Sequence, residues 1–200
     1  MFVLYAIPAG LLFGWLLGGR LAGLTRLEFQ LAPLIAMGMT IQLALFAAPM
    51  AAQIGQAGPY IYVGSSLLVL AAVIRNSHLP GLPIVALGAI SNLVAIAANG
   101  GYMPASGAAL AAQGRVAPTV YSNSATIVQP VFAPLTDIFA MPAGIPAANV
   151  FSVGDVLIGV GVAMAIAASM RQARRRGLDP VVLVTSTPLT AQSGDGASGN

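Results

Sequence analysis

Apolar residues in this chain come in blocks rather than in alternation. Stretches at about 2–19, 29–48, 60–74, 82–98 and 153–170 are almost free of charge. Blocks of this length predict helices able to cross, or nearly cross, a hydrocarbon core of about 30 Å. The third block is short and would stand nearly upright or borrow length from its flanks. Pro33 and Pro83 fall in the first turns of the second and fourth blocks, where a missing N–H costs little. The fifth block opens Ser152-Val153-Gly154-Asp155, a capping box with Asp in place of Glu. Small residues recur at every fourth position as Gly10, Gly14 and Gly18 and again as Gly159, Ala163 and Ala167. Ridges of this kind let a neighbouring backbone approach closely.

Between the fourth and fifth blocks the pattern changes. Residues 100–151 carry only Arg115 and Asp137 as charges, and Pro130, Pro134 and Pro142 rule out a continuous helix there. Ser106 is placed to cap a short Ala-rich helix reaching about Gln113. The segment is expected to form a cap over the bundle, lying at the lipid interface or, alternatively, re-entering it. The fold class predicted is therefore all-α: a polytopic membrane protein with five transmembrane helices and a capping segment between helices 4 and 5. Residues 1–176 would form the membrane domain, and 177–200 a largely disordered cytoplasmic tail.

Composition strengthens the membrane expectation. The chain is 58% hydrophobic and 6% charged, against about a quarter charged in soluble domains. Cysteine is absent, which excludes disulfides and thiol chemistry, and all eight basic residues are arginine. Seven of them, Arg20, Arg26, Arg75, Arg171, Arg174, Arg175 and Arg176, fall on one side of an alternating five-helix threading. That side is then cytoplasmic, with the N-terminus outside. Tyr5, Tyr60, Tyr62, Tyr102 and Tyr121 all fall on the other side, as an interfacial aromatic belt would. The first block has no basic residue before it and Arg20 after it, the reverse of a signal peptide, so it is expected to be retained. Arg171, Arg174, Arg175 and Arg176 could contact anionic inner-leaflet lipid. The arginines flank apolar segments instead of lining one face, so no nucleic-acid partner is expected.

The polar residues inside the blocks are few. Asn92 and Asn99 lie seven residues apart, which at about 100° per residue returns them to one helix face with Gly88 and Ala95. Thr40 and Gln42 lie deep in the second block, where a buried amide needs a partner. The turn Asn99-Gly100-Gly101 with Met103 and Pro104 is a candidate structural or binding turn. Its backbone N–H groups could form a nest for the Asp155 carboxylate. Arg115 and Asp137 make a candidate outer ion pair. His78 has no Cys, second His or nearby acid to build a metal site with. No catalytic set, metal site or cofactor is expected.

The run NLVAIAANGGYMP over Asn92–Pro104, with LTDIFAMP around Asp137 and FSVGDVLIGVG around Ser152, Gly154 and Asp155, resembles a bacterial family of small membrane proteins of unknown function, DUF 5317. The likeness extends from the first block through the fifth. It implies a helical protein of the bacterial inner membrane and carries no activity; Tyr102 stands where it implies a basic residue.

Three functional classes remain open. An accessory or structural subunit of a membrane assembly, partnered by lipids and by a homo-oligomer or larger complex, accounts for the small-residue ridges. A small-solute or lipid binding or transport protein would need a polar cavity lined by Gln42, Asn92 and Asn99. A membrane-embedded enzyme would have to use Asp137 or Asp155 as its base.

Overall fold

A computed structural model describes residues 2–47, 53–113, 124–125 and 127–175. The fold is mostly helical. A 3-10 turn, Phe2–Tyr5, leads into α1, Ala6–Leu16, and a second one, Leu21–Arg26, follows it. Then come α2, Ala32–Leu45; α3, Gly58–Arg75; and α4, Leu82–Ala98. The region between α4 and the last helix holds α5, Gly107–Ala112, and four two-residue strands. Strands β1 (Met103–Pro104) and β2 (Ser124–Ala125) pair in parallel; β3 (Phe139–Ala140) and β4 (Val150–Phe151) pair antiparallel. Helix α6, Val153–Arg175, closes the described chain.

The five longer helices pack in the spatial order α2, α3, α4, α6, α1, and each runs opposite to its predecessor in sequence. For α2 and α3 this follows from Gln30 meeting Asn76 at one end while Phe46 meets Tyr62 edge-on at the other. For α4 and α6, a Cβ on Gly81 would sit 2.2 Å from the Gly161 carbonyl oxygen, and one on Gly88 2.5 Å from that of Gly154. Helices α1 and α6 run parallel: a Cβ on Gly159 would be 3.8 Å from that of Ala6, one on Gly10 2.9 Å from Cα of Ala163, and one on Gly14 3.2 Å from Cα of Ala167. The two ridges read from the sequence thus face each other. Gly18 stands apart from them. It is exposed, has φ +73°, and donates its N–H to the Trp15 carbonyl at 2.8 Å, so it ends α1 instead of extending its contact face.

The two ends of the bundle differ in chemistry. At one end the 3-10 turn Leu21–Arg26 is held against α6 by the Arg20 N–H bonding the Met170 carbonyl at 2.9 Å, and Arg75 and Arg171 lie at this arginine end too. At the other, the capped end, Phe2 stacks on Phe151 at 4.4 Å and Phe151 on Phe139 at 5.4 Å. There the Tyr5 hydroxyl also donates to the Pro146 carbonyl.

Helix lengths correct the sequence reading. The blocks at 2–19 and 29–48 yield α-helices of only 11 and 14 residues. The first is shortened by its 3-10 entry and by left-handed Gly18, the second by Leu31, a non-glycine residue held at φ 59° just before Ala32. Among the described residues, Gly55–Arg75 (21 residues) and Val153–Gln172 (20 residues) are long and apolar enough to cross a membrane. Phe2–Leu16, Ala32–Leu45 and Leu82–Ala98 are apolar but shorter. The helices leave large apolar side chains on the outside, including Leu12, Phe13, Trp15, Leu43, Tyr60, Leu67 and Leu87.

Gly10→Ala should lower the unfolding midpoint in detergent, by about 1–3 kcal/mol of overpacking strain. Gly64→Ala, on the open face of α3 where nothing lies within 4 Å, should not. Equal behaviour of the two variants would show that α1 is not seated on α6 in this way.

Candidate functional site

Three junctions are each built around an asparagine, and the most connected lies where α4 meets the start of α6. Ser152 ends the β4 segment and caps α6: its Oγ accepts from the Asp155 N–H at 3.0 Å, and its own N–H donates to Asp155 Oδ2 at 3.1 Å. This is the reciprocal geometry of a capping box, and it sets a carboxylate at the positive end of the helix dipole. Asn92 closes the ring from α4. Its Nδ2 donates to Asp155 Oδ1 at 2.9 Å, and its Oδ1 accepts from the Ser152 hydroxyl at 2.8 Å. Such closeness requires glycine next to Ser152 and Asp155 in the turn, since a Cβ on Gly154 would sit 1.9 Å from Asn92 Oδ1. Ser152 is 0% exposed. A hydrogen bond to a charged group contributes about 1.5–3 kcal/mol, more than a neutral pair.

The expected nest for Asp155 is therefore not formed. The Asn99 and Gly101 N–H groups both bond the Ile96 carbonyl, at 3.2 and 2.9 Å, closing the C-terminus of α4. Gly100 and Gly101 have φ of +72° and +87°, and a Cβ on Gly101 would be 2.3 Å from that of Pro59. The turn packs tightly against the start of α3, leaving its amides to the helix they terminate.

The other two junctions share one device. Asn99, the C-cap of α4, folds its Nδ2 back to the Ala95 carbonyl at 2.7 Å and also donates to the Val131 carbonyl at 2.9 Å, while its Oδ1 accepts the Val131 N–H at 2.9 Å. Asn76, the C-cap of α3, does the same with the Ala72 carbonyl at 2.7 Å and with Gln30, whose carbonyl accepts at 2.7 Å and whose N–H donates at 2.8 Å. Each asparagine mimics a strand partner for one distant residue. Asn76 is 0% exposed and went unnoticed in the sequence, where it reads as part of a polar turn with His78. The signal that could have found it is the repeated Ala-x-x-x-Asn at two helix ends.

The remaining candidates are dispersed. Met103 is buried with Ala95 and Ile96, and the Pro104 carbonyl accepts the Asp137 N–H at 2.9 Å. Asp137 is 5% exposed, and its carbonyl accepts the Ser106 N–H at 3.0 Å. Its expected partner Arg115 lies outside the described residues, as does Arg176; Arg171 is exposed near the end of α6, and Arg174 and Arg175 end that helix. Ser106 caps α5, accepting from Ala109 at 3.0 Å. Gln42 donates to Ser66 Oγ at 3.2 Å, joining α2 to α3. Gln113 donates to the Met141 carbonyl at 3.1 Å, and Met141 donates to the Asn149 carbonyl at 3.1 Å; both side-chain amides keep a buried oxygen without a partner. No group of three or more metal-ligating side chains exists among the described residues.

Apolar helices, joined by buried amides and a carboxylate held by hydrogen bonds within the protein, define a helical bundle of the kind that two membrane-length helices weakly mark as membrane-associated. Residues 26–167 match a family of unknown function, DUF5317, and the chain belongs to that family. The match begins after α1, so the likeness expected across all five blocks leaves the first outside it. No curated protein and no solved structure is detectably similar.

Two measurements address these junctions. In a double-mutant cycle, Asn92→Ala and Asp155→Ala should each lower stability and couple by about 1–2 kcal/mol; additive losses would show that the carboxylate is held by other groups. Asn99→Ala should speed amide exchange at Val131 about tenfold while leaving the middle of α4 protected. Unchanged exchange at Val131 would mean that the clasp does not hold that segment.

Proposed function

We propose that this protein is a multi-pass integral membrane protein, of the bacterial inner membrane on the family resemblance, acting as a structural or accessory subunit of a larger assembly. Its five helices cross the bilayer, the capped end outside and the arginine end cytoplasmic. One observation carries the reading: large apolar side chains cover the outside of the helices, while most of their polar side chains bond within the protein, the buried Ser91 hydroxyl of α4 being without a partner. Ser65 donates to the Tyr62 carbonyl at 2.9 Å and Ser169 to the Ala165 carbonyl at 2.7 Å, so these hydroxyls too are internally engaged. In lipid this is the required arrangement, because unsatisfied polar groups there cost several kcal/mol, or about that order.

The short helices are compatible with crossing. A 17-residue α4 spans about 25 Å, and the deficit against a core of about 30 Å is met by local thinning and by flanking residues. The 3-10 turn before α1 adds length at about 2 Å per residue.

Transport and catalysis have less support. Gln42, Asn92 and Asn99 bond three separate partners, Ser66, Asp155 and Val131, instead of presenting free groups to one cavity. The Asp155 carboxylate, one of the two bases the enzyme reading could use, is occupied by Asn92 and the Ser152 N–H.

The absence of cysteine makes the threading directly testable. Single-cysteine variants Thr25→Cys and Ser77→Cys should react with an impermeant maleimide only from the cytoplasmic side, and Gln56→Cys and Ala143→Cys only from outside. Residues 25 and 56 labelling from one side would remove α2 as a crossing, and residues 77 and 143 doing so would remove α4. Purification in mild detergent should retain a stoichiometric partner or a second copy; a monodisperse monomer would count against the accessory role.

A further inference from the structure

The chain segment clasped by Asn99 has a surface unsuited to water. From 127 to 151 the only ionisable side chain is Asp137, and that residue is buried. Apart from Gln129, the large side chains it exposes are apolar: Val128 is 94% exposed and Val131 and Phe132 about half, with Ile138 and Phe139 close behind. Leu135 packs with Tyr62 and Val63 of α3 onto Ala95, Ile96 and Met103, which fixes the segment to the capped end of the helices. Its exposed residues therefore lie at the end of the bundle where Tyr62 and Val63 of α3 pack.

Part of the segment's backbone is also satisfied within the protein. Four prolines, Pro130, Pro134, Pro142 and Pro146, remove N–H groups that would otherwise need partners. Val131, whose side chain points outward, has both its N–H and its carbonyl taken by the Asn99 amide. Leu135 and Thr136 donate to Phe132 and Ala133 at 2.8 and 3.1 Å. Phe132 is held at φ 55°, a left-handed conformation that side chains such as phenylalanine rarely adopt, and it stays exposed there. Irregular backbone is tolerated near lipid only when its polar groups are satisfied within the protein.

We infer that the Val128–Phe132 tip is an interfacial anchor, inserted shallowly among the headgroups and upper acyl chains of the outer leaflet. This rests on the multi-pass reading above and adds a lipid-contact site to it. Headgroup depth is favoured over the bilayer centre because Gln129 is exposed within the tip and needs polar surroundings. A lipid occupant is favoured over a protein because Leu135 fixes the tip beside Tyr62 and Val63, at the end of helices whose outer side chains face lipid on that reading.

Trp15 is the only tryptophan and is exposed on α1, which allows both levels to be tested in one system. In proteoliposomes, Phe132→Trp in a Trp15→Phe background should emit to the blue of water-exposed indole. It should lose more emission to lipids brominated near the headgroup than to lipids brominated near the chain terminus. Val128→Trp in the same background gives a second probe should residue 132 not accept the larger ring. Red emission without quenching at both probes would overturn the anchor in favour of a protein-docking tip. Stronger quenching by the deep bromines would overturn it in favour of a re-entrant loop. The wild-type protein separates the two proposals: unquenched Trp15 would defeat the membrane reading itself, whereas quenched Trp15 with unquenched tip probes would defeat the anchor alone.

Discussion

Close approach of backbones along α6 is the constraint on which the rest of this structure depends. One face of the helix, Gly159, Ala163 and Ala167, receives Ala6, Gly10 and Gly14, and another, Gly154 and Gly161, receives Gly88 and Gly81. On the multi-pass reading, helices in lipid gain little from hiding apolar surface from one another, so packing at short range and shared hydrogen bonds supply the association. Glycine serves here by removing the side chain that would hold two backbones apart. The Asn92–Ser152–Asp155 ring follows from the same closeness, because an amide on α4 can span to α6 only where Gly88 and Gly154 let the helices meet.

Around that axis the structure uses amide side chains as substitutes for secondary structure. Asn76 and Asn99 stand at opposite ends of the α3–α4 hairpin, and each pairs with both backbone groups of a residue far away in sequence. Gln30 enters α2 and Val131 lies in the cap, so one asparagine ties a helix entry and the other ties an irregular segment. Both asparagines hold their position by folding back onto an alanine carbonyl four residues earlier, where a larger side chain would crowd the turn. A bundle of short helices gains from this, since much of its polar backbone lies at helix ends.

Much of this was legible in the sequence, and the parts that were not share a cause. Pro83 and the Asn99-Gly100-Gly101 turn bracket α4 so clearly that its span, Leu82–Ala98, could be read residue by residue. Ser106 and Ser152 announce their helices through local cap chemistry, which needs no knowledge of the rest of the fold. Helix α2 was read too long because Leu31 adopts a left-handed conformation that nothing in a leucine signals. Gly18 fits the every-fourth pattern yet serves as a helix terminator, because periodicity cannot separate a contact face from a stop at its edge. Asp155 was expected at the α4 turn and instead bonds Asn92, seven residues before Asn99; only the register of α4 against α6 decides this. Asn76 was missed for the same reason, its partner being defined by tertiary placement alone.

The parallel seating of α1 on α6 has a consequence for biogenesis. Among the described helices, α1 finds its principal helical neighbour, α6, only after α2, α3 and α4 have been made. Throughout that interval its glycine face lacks the backbone it is shaped to receive. A nascent chain interrupted before α6 would also lack the Ser152–Asp155 cap, the ring on Asn92 and the stop for Arg20 on Met170. Without α6, the faces of α1 and α4 that it joins would both stand open, and α1 would have lost its principal seat.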